Sequence, residues 1–460
     1  MFRMENQVHQ NTEERLERLS DVIETGTLNQ LISMINAMHP GEIAHLLESS
    51  PPARRSFLWK LIDSENEGET LIELGEEARA SLVGEMESGD LIDAVKDLDV
   101  DDIADFIQSL PDALTEQTLA GLSRQQRQRV EAVLVYDEDT AGGMMDTQVL
   151  TTRIDVNVDV VLRYLRLQDE LPSHTDTLIV IDKYEKYLGI VSLSNLLTSQ
   201  PDQKLTDITD DEHPAIPADM SSREVASLFE DRDLISAPVV NGNGKLLGRI
   251  TIDDVVDVIR DDAEHSMMGM AGLNEEEDLF APVLTSVKRR ALWLGTNLLT
   301  AFLAAWVIKQ FTETLEAAIA LAVLMSIVPS MGGIAGSQTL TLVIRGLALG
   351  QIVKSNTKSL LIKELILGFI NGIIWAIVVF FISVFIFHDT GIGIVMAIAM
   401  LLNLSVAPLA GVLLPLVLRK LNIDPALAGS VLLTTVTDIV GYLAVLGLAT
   451  MLLPYIRTII

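Results

Sequence analysis

Five long apolar runs close the chain, at 291–308, 317–344, 365–387, 392–418 and 427–456. A bilayer core about 30 Å thick takes roughly 20 helical residues to cross, so the first run just reaches and the others have length to spare. Lipid offers the backbone no hydrogen-bond partners, which makes each run a helix and the last 170 or so residues a bundle of about five crossings. Lys288-Arg289-Arg290, then Arg345, Lys354, Lys358 and Lys363, then Arg419-Lys420 fall on one side of five crossings. Lys309, Glu313, Glu316, His388 and Asp389 fall on the other. The basic excess assigns the first side to the cytoplasm, and with it the N-terminus, which shows no apolar leader; the C-terminus is then expected outside.

One carboxylate, Asp438, lies within these runs, between Leu432-Leu433 and Ile439-Val440 and after Thr434, Thr435 and Thr437. An ionised group at that depth must face protein, water or a cation, so the run points to a pore or transport site. A buried structural pair is the plainer reading, but no basic residue within the run neutralises it. In the second run Ser326, Pro329, Ser330, Gly332, Gly333, Gly336, Ser337 and Gln338 interrupt the apolar character. Gly332 and Gly336 have the small-residue spacing of close helix contact and Pro329 withholds a donor. A kinked packing helix and a break whose carbonyls face a cation both fit. The fourth run carries Asn403, Ser405, Pro408, Gly411 and Pro415. Asn403 offers a neutral oxygen to a pore or a hydrogen bond to a neighbouring helix, and Pro408 is expected to free the carbonyl one turn earlier to face a pore.

The preceding 280 residues hold 58 acidic and 22 basic side chains, against 6 and 11 from Ala281 onward. That balance excludes nucleic acid, whose phosphates require positive charge, and marks a soluble part that meets cations. Zero cysteines exclude disulfides and thiolate metal sites; the seven histidines form no ligand spacing. Gly244-Lys245 lacks the glycine spacing and following hydroxyl of a phosphate loop, so ATP hydrolysis is not expected, and no enzyme activity is read.

From about residue 30 to 136 short apolar-periodic segments alternate with acidic or proline breaks. The segment 39–47 (HPGEIAHLL) is echoed at 99–107 (DVDDIADFI), which reads as stacked helix pairs. Beyond Met145 the period changes. Thr177–Ile181, a polar turn, 188–191 and a helix-like 194–197 return 59 residues later as 237–240, the turn at Asn243-Gly244, 247–250 and 253–256. Two β-turn-β-helix copies read as a duplicated α/β module, the second with a tight hairpin at Asn243-Gly244, residues that both tolerate positive φ.

Together these residues resemble the MgtE family of bacterial magnesium channels or transporters. The matches are residues 136–145 (YDEDTAGGMM) at the junction of the N domain with the first CBS module, 329–338, 403–415, Asp424-Pro425-Ala426 and 434–438. The resemblance implies a multidomain membrane protein: a soluble α-helical superhelix, tandem α/β CBS modules and a five-helix transmembrane domain in the inner membrane. The boundaries are an acidic helical N domain at 1–136, CBS modules at 137–200 and 201–260, a connecting helix at 261–286 and the pore domain at 287–460. It further implies a homodimer with the pore on its twofold axis, Asp438 near the site for hydrated Mg2+, and Asn403 and the Ala407 backbone at pore positions. Pro329, Gly332, Gly333, Gly336 and Pro408 would pack the pore helices, and Asp261, Asp262 and Glu264 would lie on the gating linker. Cytosolic Mg2+ would bridge carboxylates of the soluble domains and close the pore; which carboxylates is left open, as is nucleotide binding by the CBS pair. The chain departs from the family at Ile334, where asparagine is common. A Met/Gly-rich linker, with Met267, Met268, Gly269 and Met270, is expected to interrupt the connecting helix. Two further readings stand beside this one: a less selective divalent-cation channel, and a membrane-tethered sensor that does not conduct.

Overall fold

The computed structural model describes residues 27–459 apart from 97, 169–170, 173, 275–276 and 318, and its contacts divide the chain into two compact units. The first unit begins with α1 (Leu28–Ile35), α2 (Pro40–Glu48), α3 (Pro52–Trp59), α4 (Ser64–Glu73) and α5 (Glu76–Val83). It continues with α6 (Ser88–Val95), α7 (Val100–Gln108), α8 (Asp112–Gly121) and α9 (Arg124–Val133). Alternate helices pack on one another, α2 on α4, α4 on α6 and α6 on α8, which is how short amphipathic helices bury their stripes in an array. The repeat read from sequence has a physical counterpart. α2 and α7 both run for nine residues and bury equivalent side chains: Ile43, Ala44, Leu46 and Leu47 in one, Ile103, Ala104, Phe106 and Ile107 in the other.

Two three-stranded sheets follow. In the first, β1 (Thr151–Arg153) runs parallel to β2 (Thr177–Ile181), which pairs antiparallel with β3 (Tyr187–Ser192). In the second, β4 (Ile216–Pro217), β5 (Ser236–Val240) and β6 (Leu246–Thr251) repeat that order. Helices α10 (Val158–Leu165) and α11 (Leu193–Thr198) accompany the first sheet, α12 (Ser222–Arg232) and the start of α13 (Ile252–Met270) the second. The copies meet through equivalent positions: Thr177 and Ser236, 59 residues apart, bring their hydroxyls to 3.2 Å, and Lys186 bridges Lys245. The expected hairpin joins β5 and β6 of the second module. Gly244 has positive φ, at 76°. The Asn241 side chain caps the turn by accepting from Asn243 N and Lys245 N, and Asp182 and Glu185 (φ 61°) play the same parts in the first module.

The helical array is fused to the second module. Val100, Ile103, Val130 and Val133 share one core with Met144, Ile216, Val225, Phe229 and Ile250. The junction motif makes this seam: Ala141 N donates to Met220 O, and Gly142 sits where a Cβ would lie 2.4 Å from the Tyr136 ring.

Among the described residues of the second unit, five helical spans are long and apolar enough to cross a membrane. They are α14 (Val283–Lys309); the broken span formed by α16 (Ile319–Leu324) and α17 (Ile327–Ala348), preceded by a short α15 (Thr312–Ala317); α18 (Thr357–Phe387); α19 (Thr390–Lys420); and α20 (Pro425–Ile459). Helix α19 is central and packs against α17, α18 and α20, while α14 runs along α20. The connecting helix is the later part of α13, which starts at Ile252 and runs without interruption through Met267, Met268 and Gly269 to Met270. The three methionines are good helix formers and outweigh the single glycine; the chain turns at Gly272 (φ 72°).

Candidate functional site

The break in the second span falls before α17, so Pro329 sits in its first turn, where a missing N–H costs nothing. Just there α17 and α19 approach closely. Asn403 of α19 is fully buried and its Nδ2 donates to Val328 O at 2.7 Å. Gly332 is required beside it, since a Cβ there would lie 2.2 Å from that nitrogen. Gly336 faces the Ala407 carbonyl and Leu433; Gly411 abuts Gly336 O and Thr339; Gly441 abuts Pro329. Gly333 is different: its nearest neighbour would be Thr437 Oγ1, at 3.9 Å. Of the predicted packing residues, Pro329, Gly332 and Gly336 line these close approaches of α17 to α19 and α20, Gly333 lies at their edge, and Pro408 packs elsewhere, against Gly368 of α18.

Two expectations change. The carbonyl freed by Pro408, that of Leu404, faces Gly368 of α18, where a Cβ would lie 2.4 Å from it, and does not look into an open space. Asn403 makes the helix-to-helix bond, and its Oδ1 is buried without a hydrogen-bond partner among the described residues.

On the outward side of α17, Ser330, Gly333, Ile334, Ser337, Gln338, Thr341 and Leu342 line an open groove. These residues recur at helical spacing, so the groove is one face of the helix. Asp438 stands half-buried on α20, next to the Thr437 that meets Gly333, with no hydrogen-bond or charge partner among the described residues. The Thr434 and Thr437 hydroxyls donate to their own helix, to Ser430 O at 2.9 Å and Thr434 O at 3.0 Å, leaving oxygen lone pairs for another ligand. Ile334, where the departure from the family lies, belongs to this groove lining.

Sequence reasoning passed over Glu364. It is 2 % exposed within α18, its Oε2 accepts from Thr339 Oγ1 at 2.9 Å and its Oε1 lies 3.3 Å from Lys363 Nζ. It lies behind α17, since Thr339 faces away from the groove. Of the residues expected to form the gating linker, Asp261 and Glu264 are exposed, with Asp261 3.5 Å from Arg260, and Asp262 is partly buried. The contact to the membrane helices is made instead by His265, whose Nε2 meets the Asp424 carboxylate, and by Gly269 against Ala426. Asp424 also caps α20, accepting from Ala426 N at 2.7 Å. Nothing in the sequence pattern singled out that histidine, because its partner is 159 residues away.

In the soluble unit carboxylates converge on the seam between the helical array and the second module. Burial, then repulsion from Asp254, Asp102, Asp146 and Asp99, raises Asp101 well above the carboxylate range, and one of its oxygens is buried without a partner. Burial and the Asp99, Asp253 and Asp257 charges push Asp102 up to about 7. Asp254 rises to about 7 through burial and Asp253, against hydrogen bonds from Thr251 that lower it. Asp146 rises to about 6 through burial, with a hydrogen bond from Gln148 and the Arg249 charge opposing. Asp105 is raised by its packed surroundings and by the Glu138 charge, but its side chain is exposed, so water screens both effects. No three His, Asp or Glu side chains among the described residues are grouped closely enough to hold a bare metal ion. Mutual repulsion keeps such carboxylates apart, and a hydrated divalent ion, which binds through its waters, spans wider gaps.

The fold defines a class, a multi-pass membrane protein that carries a helical array and tandem α/β modules. The family model described as the MgtE divalent cation transporter matches residues 325–448, the MgtE intracellular N domain matches 38–139, and the CBS domain matches 141–202 and 205–261. The magnesium transporter MgtE of Bacillus subtilis is 25 % identical over 438 residues, 95 % of this chain and 97 % of that protein. Those of Thermus thermophilus (28 % over 441 residues; 95 % and 98 %) and Enterococcus faecalis (29 % over 326 residues; 71 % and 72 %) are similar too. The chain belongs to the MgtE family of divalent-cation transporters. It is a multi-pass inner-membrane protein with its N-terminal domain in the cytoplasm, and a transporter rather than an enzyme.

Proposed function

We propose that this protein is a homodimeric magnesium channel that admits hydrated Mg2+ down the membrane potential and closes when cytosolic Mg2+ binds its acidic soluble part. The observation that carries the reading is the groove on α17. A face bearing Ser330, Ser337, Gln338 and Thr341 beside an unpartnered Asp438 is unsuited to lipid, and it faces outward from a single chain. A second copy across a water-filled axis covers it and supplies a second carboxylate, enough to hold a hydrated ion through its waters. Asn403 and the Ala407 backbone then serve the pore by holding α17 and α19 in register. Magnesium is the ion that the names of the three relatives carry. A potential of roughly 100 mV drives a divalent ion inward with about 4.6 kcal/mol, so no nucleotide-powered step is required.

Closure follows from the seam. Without divalent cations its carboxylates repel; with them, bridging favours the packed arrangement, and α13 passes the difference to the membrane helices. A cysteine-free chain makes the test clean. Ser337→Cys, assembled in liposomes, should be modified by a water-soluble thiol reagent, with Mg2+ flux blocked and cross-linked dimers formed on oxidation. Modification that leaves flux untouched would remove the groove from the ion path, and equal flux of Mg2+, Mn2+ and Co2+ in the unmodified protein would make the channel a general divalent one. An absence of any flux would leave a tethered sensor.

A further inference from the structure

Residue Arg55, at the start of α3, is fully buried, an unusual place for a guanidinium. Its Nε donates to Leu47 O at 3.0 Å and its Nη2 to Ser50 O at 3.3 Å, which ties it to the end of α2. The same Nη2 lies 2.7 Å from the Asp278 carboxylate, 223 residues along the chain, and the Asp278 side chain is 7 % exposed. The backbone joins in: Asp278 N donates to Glu77 of α5 at 2.9 Å, and Asp278 Oδ1 accepts from Phe280 N at 2.8 Å, turning the segment. These contacts make 277–282 part of the soluble unit, although the later part of α13 and all of α14, on either side of it, belong to the membrane unit.

We propose that 277–282 is a strap through which the N-terminal helical array acts on the first membrane helix directly, in parallel with the connecting helix. The physical case is length and burial. Asp278 precedes Val283, the first residue of α14, by five residues, which span at most about 18 Å, so little slack separates the anchored carboxylate from the helix. A buried pair is held far more tightly than a surface one, because losing either partner strands a charge. Any displacement of α2, α3 and α5 therefore pulls on the start of α14. The idea rests on the regulated channel described above.

The test uses full-length protein in oriented liposomes and reads inhibition of Mg2+ flux by internal Mg2+. Two variants act by different routes. Asp278→Asn keeps the volume and removes the charge; four Gly/Ser residues inserted after Pro282 keep the pair and add slack. Both should raise the half-inhibiting Mg2+ concentration by about fivefold or more, the lower end of ordinary allosteric coupling. An insertion variant with the unaltered inhibition curve overturns the strap even if Asp278→Asn lowers thermal stability, since a purely structural pair would show only the latter. Loss of inhibition in the unmodified protein would sink the regulated channel itself, a distinguishable failure.

Discussion

Asp101→Asn should close the soluble seam without magnesium. The side chain is 8 % exposed, one oxygen has no hydrogen-bond partner, and carboxylates surround it. The amide is isosteric, carries no charge and offers two donors to those neighbours. Relieving an unsatisfied buried group is worth about 1–3 kcal/mol. At about 1.4 kcal/mol per tenfold, the half-inhibiting internal Mg2+ concentration of the variant falls roughly tenfold. Hydrogen exchange in Mg2+-free buffer at neutral pH provides the structural assay, read on peptides covering α7 and the start of α13. Protection in the variant should match that of the unmodified protein in saturating Mg2+. Exchange that is faster than in the unmodified protein, or a half-inhibiting concentration that rises, would refute the reasoning and make Asp101 an indispensable ligand instead of a source of repulsion.

The pH dependence has a definite sign: Asp102 and Asp254 have folded values near 7 against an ordinary 3.8, so the packed seam binds more protons than the opened one. Without divalent ions the seam's stability is therefore full below about pH 4 and lost as pH rises through about 7, while saturating Mg2+ should flatten that fall, both followed by thermal melts across pH. Gly332→Ala forces the Asn403 amide off Val328 O and should cost about 2–4 kcal/mol, whereas Gly333→Ala, with 3.9 Å to its nearest contact, should melt within about 0.5 kcal/mol of the unmodified protein. Thr339→Val leaves the Glu364 carboxylate without its hydroxyl donor and should destabilise the membrane unit by about 1–3 kcal/mol in detergent melts, with Glu364→Gln milder than Glu364→Ala.

Much of the architecture was legible because it is written in local periods. The echo of 39–47 at 99–107 and the 59-residue duplication both show as pattern, and the five apolar runs need only length and composition. Asp438 stood out because nothing near it in sequence neutralises it. What stayed hidden depends on partners far apart along the chain. Arg55 with Asp278, His265 with Asp424 and Thr339 with Glu364 are each ordinary residues until the fold joins them. The direction of the carbonyl freed by Pro408 was similarly inaccessible, since helix rotation depends on Gly368 across the interface. The Asn243-Gly244 hairpin was legible as a turn but its cap was not: two residues earlier, Asn241 supplies the side-chain acceptor for Asn243 N and Lys245 N.

The most direct measurement is Mg2+ uptake into liposomes holding equal amounts of unmodified and Asp438→Ala protein, with Ca2+ uptake alongside. Alanine removes one charge per chain and, in the dimer, both carboxylates from the axis. Uptake of Mg2+ should fall to near background in the variant while dimer content stays the same. Near-normal Mg2+ uptake with an unchanged preference over Ca2+ would contradict an ion path past Asp438.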